Sequence, residues 1–300
     1  CPSGVEYGQL LEIGREMMES KRGRLQSLYR YIVRKTLSTP LLFRPAGYFL
    51  RHSKINSKAI KPKIINSSVL LMGGCVQPSL APNINHSIKN ILAKLNIEVL
   101  ESSQGECCGA LDQHLAASSD ALKKVKRNID NWISKLDSGV EAIISSASGC
   151  GVMIKDYPNL FEESDPYYEK SLLISSKTKD IAEFLVNQDL SSLKLKELNI
   201  AYHEPCTMQH GQKLGGLVES ILSEFGYNKK QIKDSHICCG SAGTYSVFET
   251  KIANQLRSNK IDNLNASKPK MIVTSNIGCL MHLQKGSSIP VKHWVELLDV

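Results

Sequence analysis

Apolar positions along this chain follow two different periods, and the change falls near residue 64. Residues 4 to 37 set Val5, Leu10, Leu11, Ile13, Met17 and Met18, then Leu25, Leu28, Tyr31, Ile32 and Leu37, at helical spacing, which predicts a helical leader. Pro40 and Pro45 are expected to break it. After a polar link over residues 53–63, short β-branched runs alternate with longer amphipathic stretches, the order of a parallel sheet with covering helices. Four of the apolar runs, 69–75, 142–150, 200–206 and 271–279, each close on a cysteine. Each reads as a buried strand whose carboxyl end delivers a thiol, the edge of an open α/β sheet at which sites form. Helices are expected over 84–95, 115–136, 216–225 and 248–264. A polar stretch over 160–198 carries Pro166 and, from Asp180, a short helix with a capping start.

The cysteines repeat as a set. Cys75, Cys107-Cys108-Gly109 and Cys150 are answered by Cys206, Cys238-Cys239-Gly240 and Cys279. The first interval is 32 residues in both copies, the vicinal pairs lie 131 positions apart, and the last interval is 42 residues in one copy and 40 in the other. A duplicated unit that gathers four thiols follows from this spacing. The fold class expected is therefore α/β: two duplicated small α/β cysteine-rich modules with parallel-type sheets, over 64–192 and 193–300, preceded by a helical leader over 1–63.

Charge separates the leader from the rest. The chain carries a net +8, and residues 1–63 alone hold 13 Lys and Arg against four Glu. Arg22, Arg24, Arg30, Arg34 and Lys35 interleave with the apolar positions, so the leader reads as a solvated basic face, a grip for an acidic partner, or a peripheral contact with an anionic membrane. Nucleic acid is not an expected partner, since no recognised binding motif accompanies the charge. No apolar run approaches the roughly 18 to 20 residues that span a bilayer, and no secretory signal opens the chain. Clustered unpaired thiols suit a reducing compartment. The expected location is cytoplasmic, with a peripheral place on the cytoplasmic face of the inner membrane as its variant.

Converging thiolates are soft ligands that suit iron-sulfur clusters or zinc. Single buried cysteines are commonly inert, but four in register twice, with glycine beside them, form a metal-site pattern. Structural zinc sites pair their ligands as C-x(2–4)-C, a spacing absent here. A redox disulfide within the vicinal pair would be strained and would leave Cys75, Cys150, Cys206 and Cys279 without a role. Gly109 and Gly240 are expected to supply a positive φ or a close approach. Cys1, followed by Pro2, resembles the closing ligand of the ferredoxin run C-x(2)-C-x(2)-C-x(3)-C-P, whose other ligands this chain lacks. There is no dinucleotide-binding glycine fingerprint and no nucleophile elbow, so nothing supports catalysis in isolation.

The repeated C…CCG…C unit resembles the cysteine-rich domain found in heterodisulfide reductase, anaerobic glycerol-3-phosphate dehydrogenase, lactate-utilisation proteins and glycolate oxidase iron-sulfur subunits. It is most similar to the last of these. The motifs are Cys1-Pro-Ser-Gly, Ser148-Gly-Cys150-Gly, His203-Glu-Pro-Cys206, Gln209-His-Gly-Gln, Cys238-Cys-Gly-Ser-Ala-Gly-Thr-Tyr-Ser, Asn276-Ile-Gly-Cys279-Leu and His293-Trp-Val-Glu-Leu-Leu-Asp.

That resemblance implies an electron-transfer subunit of a glycolate dehydrogenase complex. Partner subunits containing flavin oxidise glycolate to glyoxylate, and clusters pass the electrons towards a quinone pool. It further implies one [4Fe–4S] cluster on Cys75, Cys107, Cys108 and Cys150, a second on Cys206, Cys238, Cys239 and Cys279, and Cys1 as the last ferredoxin ligand. The fuller form of the domain ends in C-x-x-C, but Met153 and His282 stand where a fifth thiol would be. His282 reads as an iron ligand or a hydrogen-bonding histidine. His203 and His210, on either side of Cys206, read as groups that tune a cluster through hydrogen bonds to sulfur or as satisfied core residues. Two other functions stay open: the same role in a lactate or heterodisulfide reductase-type complex, and a zinc-stabilised or metal-free interaction module left by truncation.

Overall fold

The computed structural model of the chain describes residues 5, 7–55, 57–102, 107–193, 199–227 and 232–299; Cys1 lies outside them. Helices α1 (Tyr7–Glu19), α2 (Arg24–Ser38) and α3 (Pro40–Phe49) form the leader. The first sheet and its cover follow as β1 (Ser67–Leu71), α4 (Gln77–Leu80), α5 (Pro82–Lys94), β2 (Ile97–Glu101), α6 (Ala110–His114), α7 (Ser118–Asp137), β3 (Ala142–Ser145), α8 (Ser148–Lys155), α9 (Tyr168–Lys177), β4 (Thr178–Asp180) and α10 (Ile181–Leu185). The second comprises β5 (Ile200–His203), α11 (Leu217–Glu224), α12 (Tyr245–Phe248), α13 (Thr250–Asn265), β6 (Met271–Thr274), α14 (Ile277–Gln284) and β7 (Val291–His293).

Both sheets are parallel throughout, in the orders β2-β1-β3-β4 and β5-β6-β7. Val69 stands opposite Ala142 in one, and Ile200 opposite Met271 in the other. The order β1-β3-β4 thus recurs as β5-β6-β7. Even the ends match: Asp180 and Glu183 close a capping box after β4, and His293 and Glu296 close one after β7. Strands β2, β4 and β7 escaped the sequence pattern because they are short, three to five residues, and partly polar.

The leader departs from the single helix expected. It breaks at Gly23, which is extended at φ −67°, ψ 150°. Pro40 begins α3 where it was expected to end a helix, and Pro45 lies inside α3. A proline in the first turn gives up an N–H that has no intrahelical partner anyway, and packing offsets the bond lost at Pro45: Phe43 is buried and Gly47 lies against Ser79. Much of the basic face is also consumed within the chain. Arg34 Nη1 lies 2.7 Å from both Asp112 and Asp120, Lys35 Nζ lies 2.8 Å from Asp120, and Lys124 pairs with Asp112. With Lys35 and Arg34 against it, Asp120 is held down to about 2. The acidic partner of this stretch is the helix pair α6–α7, directly after the first vicinal cysteines.

The two halves share a core. Val69, Leu71, Ala142 and Ile144 point from the first sheet into one cluster with Ile200, Tyr202, Ile272 and Trp294 of the second. Their strand neighbours Leu70, Met72 and Ile143 turn the other way, beneath Trp132 and Tyr157, as strand alternation requires. Helix α5 packs on the 3-10 turn after β7, while α11 packs on α10. Each half thus covers the end of the other. Polar ties lie along the seam: Asn83 with Glu296, Asn90 Nδ2 to Asp299 at 3.1 Å, and Lys94 with Asp299 at 3.6 Å.

The equivalent residues Asp180 and His293 are both buried at this seam. Burial pushes the Asp180 carboxyl up to about 6 and the His293 imidazole down to about 4. The neutral form is favoured in each case, with opposite consequences for pH. The Asp180 contribution is present below pH 3.8 and is lost as pH rises through about 6. The His293 contribution is present above pH 6.5 and is lost as pH falls towards about 4. In urea unfolding from pH 4 to 8, His293→Gln is expected to flatten the acid-side loss, and Asp180→Asn the loss on the rising side. Each effect is on the order of 3 kcal/mol across its range.

Candidate metal centres

Each half brings its four cysteines together by the same local devices. The loop after β1 carries Cys75, and the turn after β5 carries Cys206. Cys150 and Cys279 stand one step beyond the strand ends expected of them, in the first turns of α8 and α14. That position sets both sulfurs near the positive end of a helix dipole. Asn276 caps α14 by accepting from Gly278 N at 2.8 Å. The vicinal pairs sit on turns closed by Gly109 at φ +91° and Gly240 at φ +88°, left-handed geometry that glycine adopts without strain.

In both halves the thiols touch in the same order. Cys75 lies against Cys107, Cys107 against Cys108, and Cys108 against Cys150. Cys206 lies against Cys238, Cys238 against Cys239, and Cys239 against Cys279. Sulfur hydrogen bonds from Cys108 and Cys75 hold Cys107 well below the usual thiol range, and those from Cys206 and Cys239 hold Cys238 down to about 2. Their partners Cys75, Cys108, Cys206 and Cys239 are pushed up. Gly240 N adds a bond to Cys238 Sγ at 3.3 Å. The second thiol contact, from Cys239, together with nearby His203, lowers Cys279 to about 6 against the opposing effect of burial.

The three histidines part company. His203, at the end of β5, is buried with Cys239 and Cys279, their ligand atoms all within 4.8 Å of one another, and neither of its ring nitrogens makes a well-formed hydrogen bond. His210 stands exposed on the π-type turn Thr207–Gly211. His282 is buried on α14 with Nε2 3.1 Å from Ala253 O. In the first half the positions of His203 and His282 are held by Met72 and Met153, both buried.

Second-layer contacts were not visible from the motifs. Asn128 Nδ2 donates to Cys107 O at 2.9 Å and Tyr157 Oη to Cys108 O at 3.0 Å. Ser148 Oγ lies 2.7 Å from Thr207 Oγ1 and accepts from Asn276 Nδ2 at 3.0 Å. That pair of bonds joins residues within three positions of Cys150, Cys206 and Cys279 across the seam. Two glycines allow the approach: a Cβ on Gly151 would come within 2.7 Å of Gln212, and one on Gly211 within 2.5 Å of Val152.

The donor set fits an inorganic core of soft character. Four thiols in a continuous chain of contacts in each half, joined in the second by a buried histidine with unpartnered nitrogens, are what a cationic thiophilic group would satisfy.

Fold and site together define a duplicated cysteine-rich α/β protein with paired metal-type thiol centres. The cysteine-rich domain family CCG matches it twice, over residues 69–155 and 200–284. Glycolate oxidase iron-sulfur subunit of Escherichia coli K12 is 38% identical across the whole of this chain and 78% of its own length. Probable glycolate oxidase iron-sulfur subunit of Bacillus subtilis is 24% identical over 95% of this chain and 74% of its own, and lactate utilization protein A of the same organism is 25% identical over 77% and 98%. The chain belongs to the CCG cysteine-rich domain family and, within it, to the family of glycolate oxidase iron-sulfur subunits.

The two vicinal turns differ in room. A Cβ on Gly240 would stand 2.5 Å from Ala253 O, whereas one on Gly109 would stand 3.4 Å from Ala121 O. Gly109→Ala is expected to cost about 1–2 kcal/mol from the left-handed backbone alone. Gly240→Ala should cost about 1–3 kcal/mol more for the clash with backbone, as read by chemical unfolding of the two variants side by side.

Proposed function

We propose that this chain is the iron-sulfur electron-transfer subunit of a complex that oxidises glycolate to glyoxylate, with the flavin chemistry on partner subunits. Two [4Fe–4S] clusters are held, one by Cys75, Cys107, Cys108 and Cys150 and one by Cys206, Cys238, Cys239 and Cys279; four thiols match the four irons of each. Such clusters accept and pass on single electrons. The cysteine-rich units run over 64–192 and 193–300 behind a leader over 1–63. The observation that carries the reading is the bond between Ser148 and Thr207, because it ties the first turn of the helix that carries Cys150 to the residue after Cys206. Two centres whose supporting elements pack against each other within one core suit a relay better than two separate structural metal sites.

The residues divide the work. The thiolates of Cys107 and Cys238 supply the first negative charges. His203 turns its ring towards Cys239 and Cys279, where an N–H to sulfur would tune the second cluster. Asn128 and Tyr157 hold the carbonyls of the first vicinal pair and so fix its turn. The leader offers the contact with the complex or with an anionic membrane surface on the cytoplasmic side: Leu25 and Phe49 are 85% and 86% exposed beside Arg24 and Arg51. No helix among the described residues is long and apolar enough to cross a membrane. The relatedness to lactate utilization protein A supports a second reading, in which the donor is lactate.

Made anaerobically with an active cluster supply, the chain is expected to carry about eight iron and eight acid-labile sulfide atoms. Less than half a cluster per chain, or stoichiometric zinc without sulfide, would favour an interaction module. Cys239→Ser should lose about half the iron and keep the rest, since the centres are built from separate ligands. Mixed with purified flavin subunits of a glycolate oxidase, the chain should bleach on addition of glycolate; bleaching by lactate instead would select the second reading.

A further inference from the structure

The second thiol centre has a buried lysine, outside any ion pair among the described residues, at a position where the first half has a neutral residue. Lys260, in α13, is 1% exposed, and its Nζ donates to Asp234 O at 3.1 Å and Ser235 O at 2.9 Å, with no ion pair among the described residues. The corresponding residue of the first half is found from the vicinal turns. Gly109 faces Ala121 O and Gly240 faces Ala253 O, and seven residues beyond each alanine stand Asn128 and Lys260. One is a neutral amide that donates to Cys107 O; the other is an amine whose charge burial disfavours and Cys239, Cys238, Asp234 and Cys279 favour. Lys124 is the cation near Cys107, but it is ion-paired: with Arg34 and Lys35 it shares the carboxylates of Asp112 and Asp120. His203 against Met72 adds a second polar difference of the same sense.

We infer that Lys260 makes the second centre the higher-potential member of the pair, so that an electron shared between them comes to rest there. The inference depends on the reading that both centres hold iron-sulfur clusters. In the step concerned, one electron leaves the centre on Cys75, Cys107, Cys108 and Cys150 and enters the centre on Cys206, Cys238, Cys239 and Cys279. No bond forms or breaks and no proton moves. Reduction adds a negative charge, and a nearby ammonium in a weakly screened interior stabilises it, whereas an amide offers only a dipole. Lys260 therefore acts as a positioning residue through the field it sets.

The full chain, reconstituted anaerobically, is titrated potentiometrically with electron paramagnetic resonance as the readout. Two signals with separate midpoints are expected, and Cys239→Ser should abolish the higher one. Lys260→Asn should lower that midpoint, changing the reduced-to-oxidised ratio at fixed potential roughly tenfold, or about 59 mV for a one-electron couple, while the other midpoint stays in place. Lys260→Arg should restore it. Coincident midpoints, loss of the lower signal in Cys239→Ser, or unmoved midpoints in an iron-replete Lys260→Asn protein would each overturn the inference. If Lys260→Asn does not fold, the assignment by Cys239→Ser in the otherwise native chain decides. Absence of iron and of any signal in the native chain is a different result, and it counts against the cluster reading itself.

Discussion

The approach of α8 to the turn after Cys206 is the contact on which the rest of the molecule depends. Ser148, wholly buried in the first turn of α8, meets Thr207 and Asn276 at once. Gly151 and Gly211 leave the space for it. The same helix carries Cys150, and the groups it meets adjoin Cys206 and Cys279. A buried hydroxyl must find partners, so this one fixes the register of the two halves while it sets the helix that carries Cys150 against the turn after Cys206. The shared core then follows, because each sheet turns one face into a cluster that neither could close alone.

Duplication here preserved the chassis and let the charges diverge. Strand order, thiol order, the left-handed glycine after each vicinal pair and the terminal capping box recur in both halves. Against that constancy, Met72 is answered by His203, Met153 by His282, Asn128 by Lys260 and Asp180 by His293. Each exchange places a titratable or charged side chain where its counterpart is neutral, or an acid opposite a base. Buried groups of this kind are costly unless satisfied, and most are satisfied by backbone carbonyls: Ala253 for His282, Ser146 for His293, Asp234 and Ser235 for Lys260. His203 is the exception, and it stands among thiols.

The leader is tied to the same logic. Arg34 reaches Asp112, three residues after Gly109, and Lys124 meets that carboxylate from α7. The network braces the first vicinal turn from behind. Outside that network the leader turns apolar side chains outward among its basic ones, with Leu41 and Phe49 among the most exposed. A surface of that kind is ordinarily covered by something else.

Legible in the residues alone are the cysteine repeat, the parallel α/β character, the four cysteine-bearing runs and the helices over 84–95 and 216–225, which the structure sets at Pro82–Lys94 and Leu217–Glu224. These were legible because they arise from local periodicity, and because a vicinal pair followed by glycine has few uses. The capping start at Asp180 was legible for the same reason. The three short strands, the helix that runs through Pro45, the exposure of His210, the bond of His282 to Ala253 and the fusion of two halves around one core arise from long-range packing. Propensity is a weak term that packing overrides. A buried lysine such as Lys260 reads as a solvated one in any local window, since its burial depends on residues that stand 25 and 26 positions away. Local order is written in neighbouring residues, while the charge of an interior is set by which distant residues the core brings together.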